Sequence, residues 1–210
     1  MFKLIAITLS FILPASCLSA DIAEKDILTW LTDKSTETNI VNAEPIRLEN
    51  GELAFLASAE YPKQGNNFWR GYILARPSLK ISQKLDGYGG QYNNITVFGD
   101  PRDSTPSIII IGSAGTGQGY FSTSQSVISI RDFQVIEHYK VDDESNIGAC
   151  GIEYEMGPCN MNETFLNFSE NLSDTNNVTL IQTSIKQRGK SPKMLQSEIS
   201  TKVIKIPTIQ

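Results

Sequence analysis

Histidine occurs once in the 210 residues, at His138, and cysteine only at Cys17, Cys150 and Cys159. Any Ser-His-Asp triad would have to pass through that single imidazole. Basic residues are also scarce: 18 Lys and Arg against 23 Asp and Glu give a net charge of −5, with no basic block. Such a chain is a poor ligand for nucleic acid phosphates or anionic membrane surfaces. No apolar run approaches the ~20 residues of a membrane-spanning helix. There is no low-complexity linker and no fixed-period repeat, which points to one domain. No cofactor is implied.

What is present begins with a leader. Met1-Phe2-Lys3 is a short positive start, Leu4 to Leu13 is apolar except for Thr8 and Ser10, and small residues lead to Ala20 before acidic Asp21. That three-part pattern predicts a secretory signal peptide over residues 1–20. A competing reading acylates Cys17 as a lipid anchor, but Pro14-Ala15-Ser16 lacks the leucine expected before such a cysteine. Removing the leader takes Lys3 with it, moves the net charge from −5 to −6, and leaves residues 21–210 as a single β-rich domain. In an oxidising compartment, Cys150 and Cys159 are expected to pair across their short loop. A zinc alternative would need His138 and a carboxylate as well. The short leader favours a periplasmic or secreted location.

The helical signal is confined to the start. Asp21 and Glu24 have capping-box spacing, and Ile27, Leu28 and Leu31 share a face, so a short helix is expected over 22–33. Thereafter the chain alternates like strands. Ile46–Leu48 and Leu53–Phe55 flank Asn50-Gly51, a hairpin signal. Further strands are expected at 68–75, 79–85, 95–98, 107–112, 120–130, 133–141, 164–168, 178–186 and 199–206, punctuated by Gly, Pro, Asn and Asp. The pattern predicts a mainly β fold, an antiparallel sandwich or a barrel-like sheet.

Val97 to Tyr120 resembles one blade of the FG-GAP type of β-propeller. Phe98-Gly99-Asp100 matches the start of such a blade, and Ile108–Gly112 its apolar strand and exit. The calcium-binding turn is incomplete, with Asp100 and Asp103 present but Arg102, Ser104 and Pro106 in place of the pattern's Asn and Gly. The resemblance covers about 24 residues and has no second copy; it implies a minimal propeller-like arrangement as the alternative fold.

The same stretch contains the most suggestive loop, Gly112-Ser-Ala-Gly-Thr-Gly117. Its glycines have the spacing of a phosphate-binding loop, but Gln118 and Gly119 stand where Lys and Ser or Thr are needed, and a strand-like segment follows instead of a helix. As a nucleophile elbow it offers Ser113, with Ile111 in place of the first glycine. A Ser113–His138 pair is therefore a weak catalytic candidate. Alternation along 133–141 puts His138 with Gln134, Ile136 and Lys140, opposite Phe133, Val135, Tyr139 and Val141, a position where histidine is usually structural. Asp142, Glu144, Asn146 and Glu153 fall at spacings near those of an EF-hand loop, but the required glycine comes one residue late, at Gly148. A solvated acidic turn is the simpler reading. Asp142, Asp143, Glu153 and Glu155 also cluster in the sequence, without a pattern that marks any of them as a general acid.

Recognition is the stronger theme. Asp86–Asn94 and Gln118–Gln125 are rich in Tyr, Gly, Asn, Gln and Ser, a composition that gives rigid contact area with adaptable hydrogen bonds. Tyr88, Tyr92, Gln118 and Tyr120 are the candidate binding residues, on loops that include Ser113–Gly119. The sequence thus leads to an exported, periplasmic, non-enzymatic binding protein, of the inhibitor or immunity type, with another exported protein or a glycan surface as partner. The alternatives are an exported hydrolase using carboxylates or the Ser113–His138 pair, and a calcium-stabilised surface module.

Overall fold

The computed structural model describes residues 24–65, 70–151, 157–174 and 176–208. The expected leader, Cys17 and Glu153 lie outside them. The chain builds two antiparallel sheets. β1 (Asn39–Arg47), β2 (Leu53–Glu60), β3 (Arg70–Arg76) and β4 (Ile81–Gly90) form a four-stranded meander. β5 (Tyr92–Phe98), β6 (Ile108–Gly117), β7 (Tyr120–Arg131), β8 (Gln134–Ser145), β9 (Cys159–Phe168), β10 (Asn177–Gly189) and β11 (Leu195–Pro207) form the second sheet, in spatial order β11-β10-β9-β8-β7-β6-β5. Only Gln91 separates β4 from β5, so the chain passes almost directly between the sheets, and the Gln91 N–H is tied to the Ala114 carbonyl at 2.8 Å. The mainly β expectation holds in its sandwich-and-barrel form. A four- and a seven-stranded sheet are not repeated blades, so the propeller-like alternative does not hold. The FG-GAP-like segment is a hairpin of β5 and β6, in which Asp100 accepts hydrogen bonds from its own neighbour Arg102.

Three apolar clusters explain the arrangement. Between the sheets, Leu56, Tyr72 and Leu74 of the meander meet Ile109, Ile111, Ile128 and Ile130 of the larger sheet. On the meander's other face, Phe55, Ala57, Ile73 and Ala75 are covered by Ile27 and Leu31, from and just after α1 (Glu24–Thr29). That helix ends at Thr29, short of the expected residue 33, and Leu31 bridges to Ser82 instead. The third cluster exists because the seven-stranded sheet curls into a half-barrel: Ile108, Ile110 and Val127 face Leu166, Val178, Leu180, Ile204 and Ile206 across its interior. Four consecutive isoleucines are thereby all buried, alternate residues facing the sandwich core and the half-barrel, as a strand covered on both sides requires.

Tyr72 joins the layers. Its hydroxyl lies 2.9 Å from the Asn94 carbonyl and also reaches the Gly112 carbonyl, linking β3 to β5 and β6. Arg76 makes a second link: it grips Glu52, lies 3.2 Å from Asp132, and stacks on Phe133 at 5.1 Å.

Candidate functional site

Beyond Ile111, β6 turns from isoleucine to Gly112-Ser-Ala-Gly-Thr-Gly117, and its burial fades accordingly. These residues are strand and not loop, contrary to expectation. They pair through Gly117 with β7, and the connection is only Gln118-Gly119, both at positive φ (51° and 82°), the geometry that twists two strands into a tight hairpin. Gly119 is needed for a second reason: a Cβ there would lie 2.5 Å from the Gly148 backbone. Gly148 in turn donates its N–H to the Gly119 carbonyl at 3.0 Å. The hairpin tip is thus seated on the turn leading to Cys150, which is joined to Cys159 with Cα atoms 5.0 Å apart. Asn146 completes the rim, its side chain reaching both the Asn160 N–H (2.8 Å) and the Pro158 carbonyl (3.1 Å).

These elements enclose a groove of about 940 Å³, bounded by the end of β4, the second half of β6, the first half of β7, the end of β8 and the start of β9. Among the described residues, Ser113, Thr123, Tyr120, Phe121 and the acidic Asp142, Asp143 and Glu144 line it, and no Lys or Arg does. A smaller cavity of about 230 Å³, lined by Tyr88, Ser126, Lys140 and Asp142 among others, adjoins it. Of the four residues singled out for binding, Tyr120 lines the groove and Tyr88 the smaller cavity; Tyr92 and Gln118 line neither. Tyr92 is on β5, 54 % exposed, and Gln118 is at the hairpin tip.

The groove's least expected member is Asp143. It is only 7 % exposed, directly opposite Thr123 across the β7–β8 ladder. Behind it runs a chain of hydrogen bonds inside the half-barrel. The Lys202 ammonium donates to the Tyr139 hydroxyl (3.2 Å), and Tyr139 donates to Gln182 (2.6 Å). Gln182 donates to Ser184 (3.0 Å), and the Thr164 hydroxyl, 3.1 Å from that of Ser184, donates to Asp143 Oδ1 (3.1 Å). Since Thr164 gives its one proton to the carboxylate, Ser184 must donate to Thr164, so every donor in the chain points from the cation towards the anion. Among the described residues, Asp143 Oδ2 has no hydrogen-bond partner.

His138 belongs to a different network. Ser129 donates to Glu49 (2.7 Å), leaving its oxygen to accept from His138 Nε2 (2.9 Å), while Arg131 holds the other Glu49 oxygen at 2.7 Å. That polarity is the reverse of a serine activated by a base, and Ser129 is fully buried. Burial pushes the imidazole below its ordinary value, with the Glu49 charge opposing. Ser113 pairs with Ser124, five residues along β7 from Ser129, a separation of ~17 Å; the structure does not bring Ser113 and His138 together. Asp142 and Glu144 stand within β8, opposite Ser124 and Ser122, and not on a loop. Asp142 faces Lys140 at 3.2 Å, and among the described residues no three His, Cys, Asp or Glu converge as metal ligands. Sequence reasoning missed Asp143, Phe121 and Thr164 as a group, because the end of β8 reads as an acidic turn. The only available signal was the alternation continuing through Val141, Asp143 and Ser145.

No protein-family model, curated protein or solved structure matches this chain.

Proposed function

We propose that this is an exported, periplasmic, non-enzymatic binding protein that engages another exported protein through the groove at the ends of β6, β7 and β8, in the manner of an inhibitor or immunity partner. The observation that carries the reading is the groove's make-up: exposed aromatic rings and a row of hydroxyl, amide and carboxylate groups on a rigid strand platform, the composition of a recognition surface. The Ser129–His138 contact is turned inward, its hydrogen bonds committed to Glu49. The Cys150–Cys159 pair supports an oxidising location, and among the described residues no helix is long and apolar enough to cross a membrane. The test is affinity capture from native extract with the chain starting at Asp21, beside a groove-blocking Ser122→Trp variant of the same melting temperature. The reading expects an exported protein captured by the first and lost from the second. Equal capture by both, or substrate turnover by the protein alone, would overturn it.

A further inference from the structure

We propose that the groove is a guanidinium-recognition site, in which the unpartnered Oδ2 of buried Asp143 and the exposed ring of Phe121 receive an arginine-type cation from the binding partner. The inference rests on the binding reading above and names the chemistry it uses. A carboxylate oxygen withdrawn from water without a hydrogen bond is costly, and Asp143, a groove-lining residue only 7 % exposed, has its Oδ2 buried just beneath that lining with no partner among the described residues, so a guest reaches it by a small shift of the side chain. The donor chain from Lys202 terminates on Oδ1 without reaching Oδ2. Glu144 adds negative charge to a lining that has no Lys or Arg among the described residues, while Asp142 is paired with Lys140 of the adjoining cavity. These features call for a cationic donor.

Three observations select guanidinium over other guests. Phe121 pairs with Ser145 and is therefore the diagonal neighbour of Asp143 on the same face, 41 % exposed, within reach for a flat cation to stack on the ring while donating to the carboxylate. Guanidinium carries five N–H donors in one plane and is weakly hydrated, so it can satisfy Oδ2 and the neighbouring hydroxyl and amide oxygens of Thr123 and Asn162 together; an ammonium is more strongly hydrated and stacks less well. A metal ion would need further anionic ligands, and the described residues supply no converging set of three.

The test uses ¹⁵N-labelled protein titrated with acetyl-Gly-Arg-Gly-amide, with agmatine as the free small guanidinium, and with acetyl-Gly-Lys-Gly-amide, calcium chloride and maltoheptaose in separate arms. The expected result is saturable movement of the Phe121, Thr123, Asp143 and Thr164 amide resonances with the arginine peptide, about tenfold weaker with the lysine peptide. Binding of the peptide well above agmatine places the guanidinium on a polypeptide, as proposed; equal binding of agmatine would overturn the assignment to the protein partner. Asp143→Asn is expected to weaken binding about tenfold or more, and Phe121→Leu several-fold, which keeps the test available if Asp143→Asn does not fold. Equal response to lysine, movement of these resonances only by calcium or the oligosaccharide, or undiminished arginine binding in both variants would overturn the proposal. Should the arginine arm fail while Ser122→Trp still abolishes partner capture, the guanidinium assignment falls and the binding function stands.

Discussion

At the scale of single residues, buried polar groups decide what can be tested. Tyr72 ties β3 to carbonyls of β5 and β6; Tyr72→Phe removes the single O–H that these two carbonyls share, with an expected loss of about 1–2 kcal/mol in urea unfolding. His138 gives a pH signature. Because burial lowers its folded pKa below the ordinary 6.5, the unfolded chain takes up the proton first as pH falls. Stability is therefore greatest above about pH 6.5 and declines below it until the folded form is protonated too. The melting temperature of His138→Asn is expected to fall less than wild type between pH 7.5 and 5. Legibility differed sharply among residues. Ile27 and Leu31 announced their burial through helical spacing and Ile108–Ile111 through an unbroken apolar run, and all are buried. Asp143 gave no such sign, since its burial depends on Thr164, a residue 21 positions away on another strand.

At the scale of elements, the hairpins were legible where turn chemistry is local, as at Asn50-Gly51, where the Gly51 N–H donates to the Leu48 carbonyl at 2.9 Å. Beyond Gly112 the sequence reads as a loop over Ser113–Gly119 although the strand continues to Gly117, because glycine weakens strand propensity without preventing pairing. β8 shows a deeper obstacle. Its register with β7 shifts between Val127 and Ile128, so His138 is the extra residue of a bulge. Phe133 and Val135 therefore pack in the sandwich core while Tyr139 and Val141 pack in the half-barrel, although simple alternation put all four on one face. A bulge inverts the faces and leaves no mark in the local pattern. The β6–β7 tip carries its own prediction. Gly119→Ala forces a left-handed backbone and a Cβ against Gly148, with an expected loss of about 1–3 kcal/mol and weaker partner capture as the rim shifts. Replacing both Cys150 and Cys159 by Ser opens the nine-residue separation and is expected to cost about 2–3 kcal/mol, measured as the difference in chemical unfolding midpoints.

At the scale of the whole molecule, one sheet serves two cores. β6 and β7 bury isoleucines against the meander on one face and against β9, β10 and β11 on the other. Both cores are apolar at the Ile108 end and turn polar together towards Gly117, so the site grows out of the same strands that hold the fold. Arg76 fastens the layers through Asp132 and Phe133 while Glu52 of its own sheet holds its guanidinium, the two side chains being 9 % and 17 % exposed. Arg76→Leu leaves the Glu52 carboxylate with the Ser78 hydroxyl but without its cation and is expected to cost about 3 kcal/mol, seen as a lower melting temperature. Fold class was legible because strand period and turn residues are local properties. The groove was not, because it depends on how far the larger sheet curls, which long-range pairing sets.

Hydrogen–deuterium exchange of the protein alone and in complex with its captured partner tests the central claim most directly. The account predicts new protection concentrated in residues 113–124 and 142–146, with the meander and β11 unchanged. Protection at β11 or the meander, with the groove segments exchanging as in the free protein, would contradict it.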